Sequence, residues 1–210
     1  MKKPIRTVYN GCESEKIIEK SRFLTFSAHV ESEEEARAFI ASVRSKHSMA
    51  THVCYAFIAD KIGNLQRFSD DGEPQGTAGV PMLEVLKAKK LFETVVAVVR
   101  YFGGVKLGAG GLVRAYSSCT AENLDLADIR SLEICEEYTV TVDYTGIDGV
   151  QKYFSSKNVS LLSTDYGEKV NFLVAVKKRE SEEFCKGLID FMQGKVDVKK
   201  GNEYYAPFKE

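Results

Sequence analysis

Val95-Val96-Ala97-Val98-Val99-Arg100-Tyr101-Phe102-Gly103-Gly104-Val105-Lys106-Leu107-Gly108-Ala109-Gly110-Gly111-Leu112-Val113-Arg114-Ala115-Tyr116 reads as a buried strand, a glycine loop and the first turns of a helix. A short apolar β-branched run ending at glycines is the pattern of a strand covered on both faces. Clustered glycines cost backbone entropy and mark tight turns or close approach. Strand, glycine loop and helix in that order can point backbone N–H groups at an anion. Lys106 and Arg114 would add charge to such a site, which Gly103, Gly104, Gly108, Gly110 and Gly111 would line. The same glycines also suit a tight crossover that lets the helix pack closely on its sheet. Two familiar nucleotide loops are excluded. Lys106 precedes Gly108 with no Ser or Thr after it, against G-x-x-x-x-G-K-[ST], and Val113 stands where G-x-G-x-x-G needs its third glycine.

Outward from this stretch, the chain divides in two. Phe23–Val30 alternates as a strand. Ser32 and Glu35 supply a capping box for a helix ending near Lys46-His47, and His52–Ala59 is the next strand. Asp60–Gly79 reads as a long polar loop, Val80–Lys90 as a helix, Phe92–Phe102 as the central strand, and Gly108 to about Ala127 as the long helix. Beyond residue 130 the pattern restarts. Strand 137–143, helix 147–156, a hairpin around Gly167, helix 181–192 and strand 195–198 follow in β-α-β-β-α-β order, the ferredoxin-like arrangement. The expectation is an α+β protein of two domains, 1–130 and 131–210.

The 210 residues carry 44% hydrophobic and 28% charged side chains with a net charge of −1. Disorder, collagen and coiled coil are unsuited to that composition. A global positive field for nucleic acid is absent, so any nucleic-acid surface is a local patch. Five scattered cysteines without a C-x-x-C pair argue against a disulfide framework or a structural zinc site. No apolar segment follows the basic start and no run reaches membrane-spanning length. These features lead to the expectation of a cytoplasmic protein with free thiols and no membrane partner.

The second glycine-rich stretch, Asp70-Asp71-Gly72-Glu73-Pro74-Gln75-Gly76-Thr77-Ala78-Gly79, lies in the polar loop. Asp70, Asp71 and Glu73, with Thr77 beside them, offer oxygen donors to a cation, to a water or to a basic partner. They equally suit an acidic turn whose side chains bond nearby backbone N–H groups. The spacing is not that of an EF-hand, and neither Ser69 nor Thr77 sits in a nucleophile elbow. His29, His47 and His52 form no helical ligand pair. No catalytic residue, cofactor or metal site is assigned. Lys20-Ser21-Arg22-Phe23 places two cations and an aromatic at a strand start, a mix suited to phosphate contact and base stacking. Lys177-Lys178-Arg179 reads as a solvated turn.

At these residues the chain resembles the YigZ/IMPACT family, in the form of its two-domain bacterial members. The resemblance is carried by Lys20-Ser21-Arg22-Phe23, His52 with Cys54, Phe68–Pro74, Gly76–Gly79 with Pro81-Met82-Leu83, and Val99–Gly104 with Leu107-Gly108 and Gly110-Gly111-Leu112. It implies an N-terminal domain like the second domain of a small-subunit ribosomal protein, in β-α-β-α-β-α order, a fold shared with GHMP kinases and a domain of elongation factor G. It implies a C-terminal domain like the ferredoxin-like last domain of that factor. The GHMP kinases' serine-rich phosphate loop is missing from Gly108-Ala109-Gly110-Gly111. Eukaryotic relatives bind a translational activator to restrain a stress-responsive kinase, through a partner-binding domain with no counterpart in this sequence. Some bacterial members carry a proline-dipeptidase label, which no metal-binding constellation in this sequence supports. The resemblance and the cations together lead to an expected non-enzymatic protein that binds RNA, the ribosome or a translation factor. Its expected anion- or RNA-binding residues are Arg22, Arg100, Lys106, Arg114 and the loop glycines. An enzyme acting on a phosphorylated or peptide substrate, with a metal on the acidic loop, is the alternative. The oligomeric state is left open.

Overall fold

The structure, a computed structural model, describes residues 4–209. The chain forms two compact units, Ile5–Ser131 and Leu132–Phe208. In the first, strands β1 (Ile5–Asn10), β2 (Glu13–Ile18) and β3 (Ser21–His29) precede helix α1 (Glu33–Lys46), followed by β4 (His52–Ile58) and β5 (Gln66–Ser69). Helix α2 (Gly79–Ala88), strand β6 (Thr94–Tyr101) and helix α3 (Gly108–Leu126) complete it. The sheet order is β2-β3-β6-β4-β5, and its pairs are antiparallel.

β6 is central because both of its faces are apolar. Val96 and Val98 pack with Phe23, Cys54, Met82, Leu86 and Tyr116 on the side of α2 and α3. Val95, Ala97 and Val99 turn the other way, toward the side of α1. This is the period-2 alternation of a strand read on both sides. Ser32 caps α1, accepting from the Glu35 N–H at 3.2 Å. The Glu35 carboxylate reaches back one residue further than a capping box requires, to the Glu31 N–H at 2.8 Å. His47 Nδ1 meets the Tyr101 hydroxyl at 2.9 Å.

The expected β-α-β-α-β-α core is present with three added strands. β1 and β2 lie before the first expected strand, and β5 lies inside the segment read as loop. Each is short, and β2 and β5 are partly or fully exposed along their length. An edge strand without a buried stripe gives no strong periodicity.

The second unit holds most of β7 (Asp128–Val142), then α4 (Ile147–Ser155), β8 (Val159–Tyr166), β9 (Val170–Lys177), α5 (Ser181–Phe191) and β10 (Asp197–Lys209). Its strands run β10-β7-β9-β8, the order of the expected ferredoxin-like fold. Tyr138, Val140, Val142, Phe172 and Val174 face Val150, Phe154, Phe184 and Leu188 from the two helices. β7 starts nine residues earlier than its alternation suggested, and β10 extends far beyond 195–198. Lys177 departs from the solvated turn expected of Lys177-Lys178-Arg179. It is buried, 2.6 Å from the Glu133 carboxylate and 4.9 Å from the centre of the Phe208 ring.

Candidate functional site

The two glycine-rich stretches converge through Glu73. β4–β6 pairing sets His52 opposite Arg100, and the loop after β5 drops the Glu73 side chain among them. Arg100 Nη1 donates to Glu73 Oε1 at 2.7 Å, and the Tyr116 hydroxyl from α3 donates to the same oxygen at 2.8 Å. Arg100 Nη2 donates to Ser21 Oγ at 3.2 Å, and its guanidinium lies 5.4 Å from the Phe23 ring centre. His52 Nε2 stands 3.9 Å from Glu73 Oε1, while its Nδ1–H donates to the Asp71 carbonyl at 2.8 Å. Glu73, Arg100 and Tyr116 are all buried. Burial of both charges is tolerated because each is paired and hydrogen-bonded.

Nothing in this cluster is prepared as a nucleophile. Burial pushes the Cys54 thiol up to about 12, more than its bond to the Tyr116 hydroxyl lowers it. A thiol held there stays protonated near neutral pH. Burial likewise raises the Tyr116 phenol, with Cys54 and Glu73 adding to the effect.

The acidic loop is spent on its own backbone. Asp70 Oδ1 accepts from the N–H groups of Ala78 and Gly79 at 3.0 and 2.8 Å, and its Oδ2 accepts from Gly76 at 2.8 Å. This carboxylate therefore covers the start of α2, where Ala78 has no side chain to cap it. Desolvation pushes the Asp70 carboxyl up, but the Gly76, Gly79 and Ala78 N–H groups outweigh it and hold the carboxyl below its ordinary value. Asp71 accepts from Val53 N–H at 2.6 Å and pairs with Arg44 at 2.9 Å. Thr77 is buried and donates to the Pro74 carbonyl at 2.6 Å. Of the two readings of this loop, its geometry is that of the acidic turn.

The expected anion-binding residues separate into three groups. Arg100 is internal, its charge engaged by Glu73, so it does not stand beside Lys106 and Arg114 as an outward cation. Arg22 is exposed but held in a two-pronged bond to Glu15 at 2.7 and 2.9 Å. Lys106 and Arg114 are exposed and have no hydrogen-bond or ion-pair partner among the described residues. They share an open groove of about 460 Å³ with Ile18, Glu19, Leu107 and Gly111. The 19-residue α3 begins beside it with no side-chain cap and no acidic residue in its first turn. The groove thus brings together two cations, the carboxylate of Glu19 and the start of a helix, whose first N–H groups have no partner within the helix.

The glycines differ in what they do. Gly103 packs against the β2–β3 turn, and a Cβ there would stand 1.9 Å from the Lys20 carbonyl oxygen. Gly104 and Gly108 adopt φ of +84° and +71°. At Gly110 the nearest atom to an added Cβ is Arg114 Nη1 at 3.6 Å. Gly103→Ala is thus expected to lower stability by about 1–3 kcal/mol or more, because backbone cannot yield as a side chain does. Gly110→Ala is expected to cost nothing measurable. Thermal melts of the two variants check both. Tyr116, which joins α3 to the cluster, carried no mark in the sequence beyond its place in a helical pattern.

A family model described as the Impact N-terminal domain matches residues 19–124, and a second, described as a domain of unknown function (DUF1949), matches residues 140–195. The IMPACT family member YvyE of Bacillus subtilis is 39% identical over 199 residues, covering 95% of this chain and 92% of that protein. The IMPACT family member YigZ of Escherichia coli is 38% identical over 183 residues, covering 86% and 90%. A solved structure titled as a crystal structure of an hypothetical protein has a TM-score of 0.62 and 34% identity, covering 94% of this chain and 97% of that one.

Proposed function

The chain belongs to the IMPACT family, and from that premise we propose that it is a non-enzymatic, translation-associated protein that binds RNA, as presented by the ribosome, through the groove at the start of α3. The observation that carries this reading is the pair Lys106 and Arg114, exposed, without an ion pair among the described residues, and beside an uncapped helix start. Phosphate contacts by such cations supply sequence-independent affinity and need no global positive charge. The buried Glu73–Arg100 pair would then be the brace that fixes the loops on either side of the groove's helix, through Tyr116 and Ser21.

A metal-dependent enzyme on the acidic loop has less support. The oxygens of Asp70, Asp71 and Glu73 already accept from backbone N–H groups, Arg44, Arg100 and Tyr116. No helix among the described residues is long and apolar enough to cross a membrane.

The Lys106→Ala/Arg114→Ala double variant should co-sediment with ribosomes less than the parent chain while melting at the same temperature. Equal pelleting of the two proteins would remove the groove as the binding surface. Loss of pelleting by the parent after nuclease treatment would separate RNA from a protein partner.

A further inference from the structure

Away from the groove, His29, Glu31 and Glu93 bring one imidazole nitrogen and two carboxylates within 4.8 Å of one another. β3–β6 pairing does this by setting His29 opposite Thr94, the residue after Glu93. Glu31 follows His29 by two and is exposed, whereas Glu93 is only 3% exposed. Glu93 Oε2 is buried with no hydrogen-bond partner among the described residues. Lys61 Nζ lies 3.8 Å from the other oxygen, Oε1. A buried acidic oxygen without a partner calls for an explanation, and an unseen ion is one.

The imidazole is oriented for a ligand. Thr7 Oγ1 lies 3.1 Å from the Glu93 carbonyl oxygen and shares a hydrogen bond of 2.8 Å with His29 Nδ1. His29 Nε2 on the other side of the ring faces Glu31 Oε1 at 3.3 Å. An outer hydroxyl fixing a histidine through its second nitrogen is the arrangement that supports metal ligation.

We propose that His29 Nε2, Glu31 and Glu93 bind one divalent transition-metal ion. One nitrogen and two carboxylates suit zinc or cobalt, and imidazole disfavours magnesium and calcium. Glu31 closes the site from the solvent side by a change of side-chain rotamer, and water completes the coordination. The ion would tie β1, through Thr7, to β3 and to the residue entering β6.

The test is a cobalt(II) titration of the full chain followed by visible absorption and calorimetry, with Glu31→Gln and Glu93→Gln beside the parent. The expected result is one equivalent bound with the weak visible bands of nitrogen and oxygen ligation, and affinity at least tenfold lower in each variant. Zinc should displace the cobalt, and calcium at the same concentration should not. Glu31 is exposed, so Glu31→Gln leaves folding intact, and the calorimetric loss is readable in it alone. No uptake, a thiolate charge-transfer band showing that cysteines hold the ion, displacement by calcium, or parent-like affinity in Glu31→Gln would each overturn the site.

Discussion

Arg100→Ala is expected to destabilise the N-terminal unit by about 3–5 kcal/mol, the range for breaking a buried ion pair by removing one partner. The substitution leaves the Glu73 carboxylate buried with only the Tyr116 hydroxyl and the more distant His52. Water cannot replace the guanidinium at little cost, because both side chains of the pair are nearly inaccessible, at 5% and 3%. The loss also frees Ser21 Oγ, which accepts from the Gly103 N–H at 3.3 Å as well as from Arg100. Both glycine stretches therefore loosen together. Amide exchange of Val95–Val99 reads this unit specifically, because protection there reports the opening of its central strand. The Arg100→Met/Glu73→Gln pair is expected to be less destabilised than Arg100→Ala, since no buried charge is left alone. A loss below about 1 kcal/mol for Arg100→Ala would mean the pair behaves as an exposed one.

The second large effect belongs to Asp70. Asp70→Ala strips the acceptor from three N–H groups at once, of Gly76, Ala78 and Gly79. Loss of a helix cap costs about 0.5–2 kcal/mol, and partly buried donors left unpaired add about 1–3 kcal/mol. The expected total is therefore about 1.5–5 kcal/mol by chemical denaturation at pH 7. The pH dependence has a definite sign. The folded-state pKa of Asp70 is depressed, so its stabilisation is present above the unfolded value of about 3.9 and is lost as pH falls through the folded value. The difference between parent and Asp70→Ala should be constant from pH 7 to 5 and narrow below about pH 4. A gap that persists unchanged into acid would show that the carboxylate charge contributes nothing.

Elements with a strong local pattern were legible in the sequence. The apolar run of β6, the glycine loop and α3 announced themselves, as did the β-α-β-β-α-β order of the second unit. β5 and the length of β10 were not legible, because exposed strands take their hydrogen bonds from a neighbour and show little alternation of their own. The acidic residues were legible as a cluster but not in direction. Whether Glu73 points outward depends on the pairing that sets His52 beside Arg100 and on a tyrosine one turn past the glycines. The same physics hid His29, Glu31 and Glu93. Their separation in sequence is closed only by the β3–β6 register. Lys106 and Arg114 were legible for the opposite reason, being close along the chain on a loop and the helix it begins.

The proposed RNA binding through those two cations is read in the salt dependence of affinity for a short single-stranded RNA, measured by fluorescence anisotropy. Each phosphate contact contributes about 0.7 to the slope of log affinity against log salt for single strands. The Lys106→Ala/Arg114→Ala variant is therefore predicted to bind more weakly, with a slope shallower by about 1.4 than the parent's. Identical affinity and slope in the two proteins would contradict it.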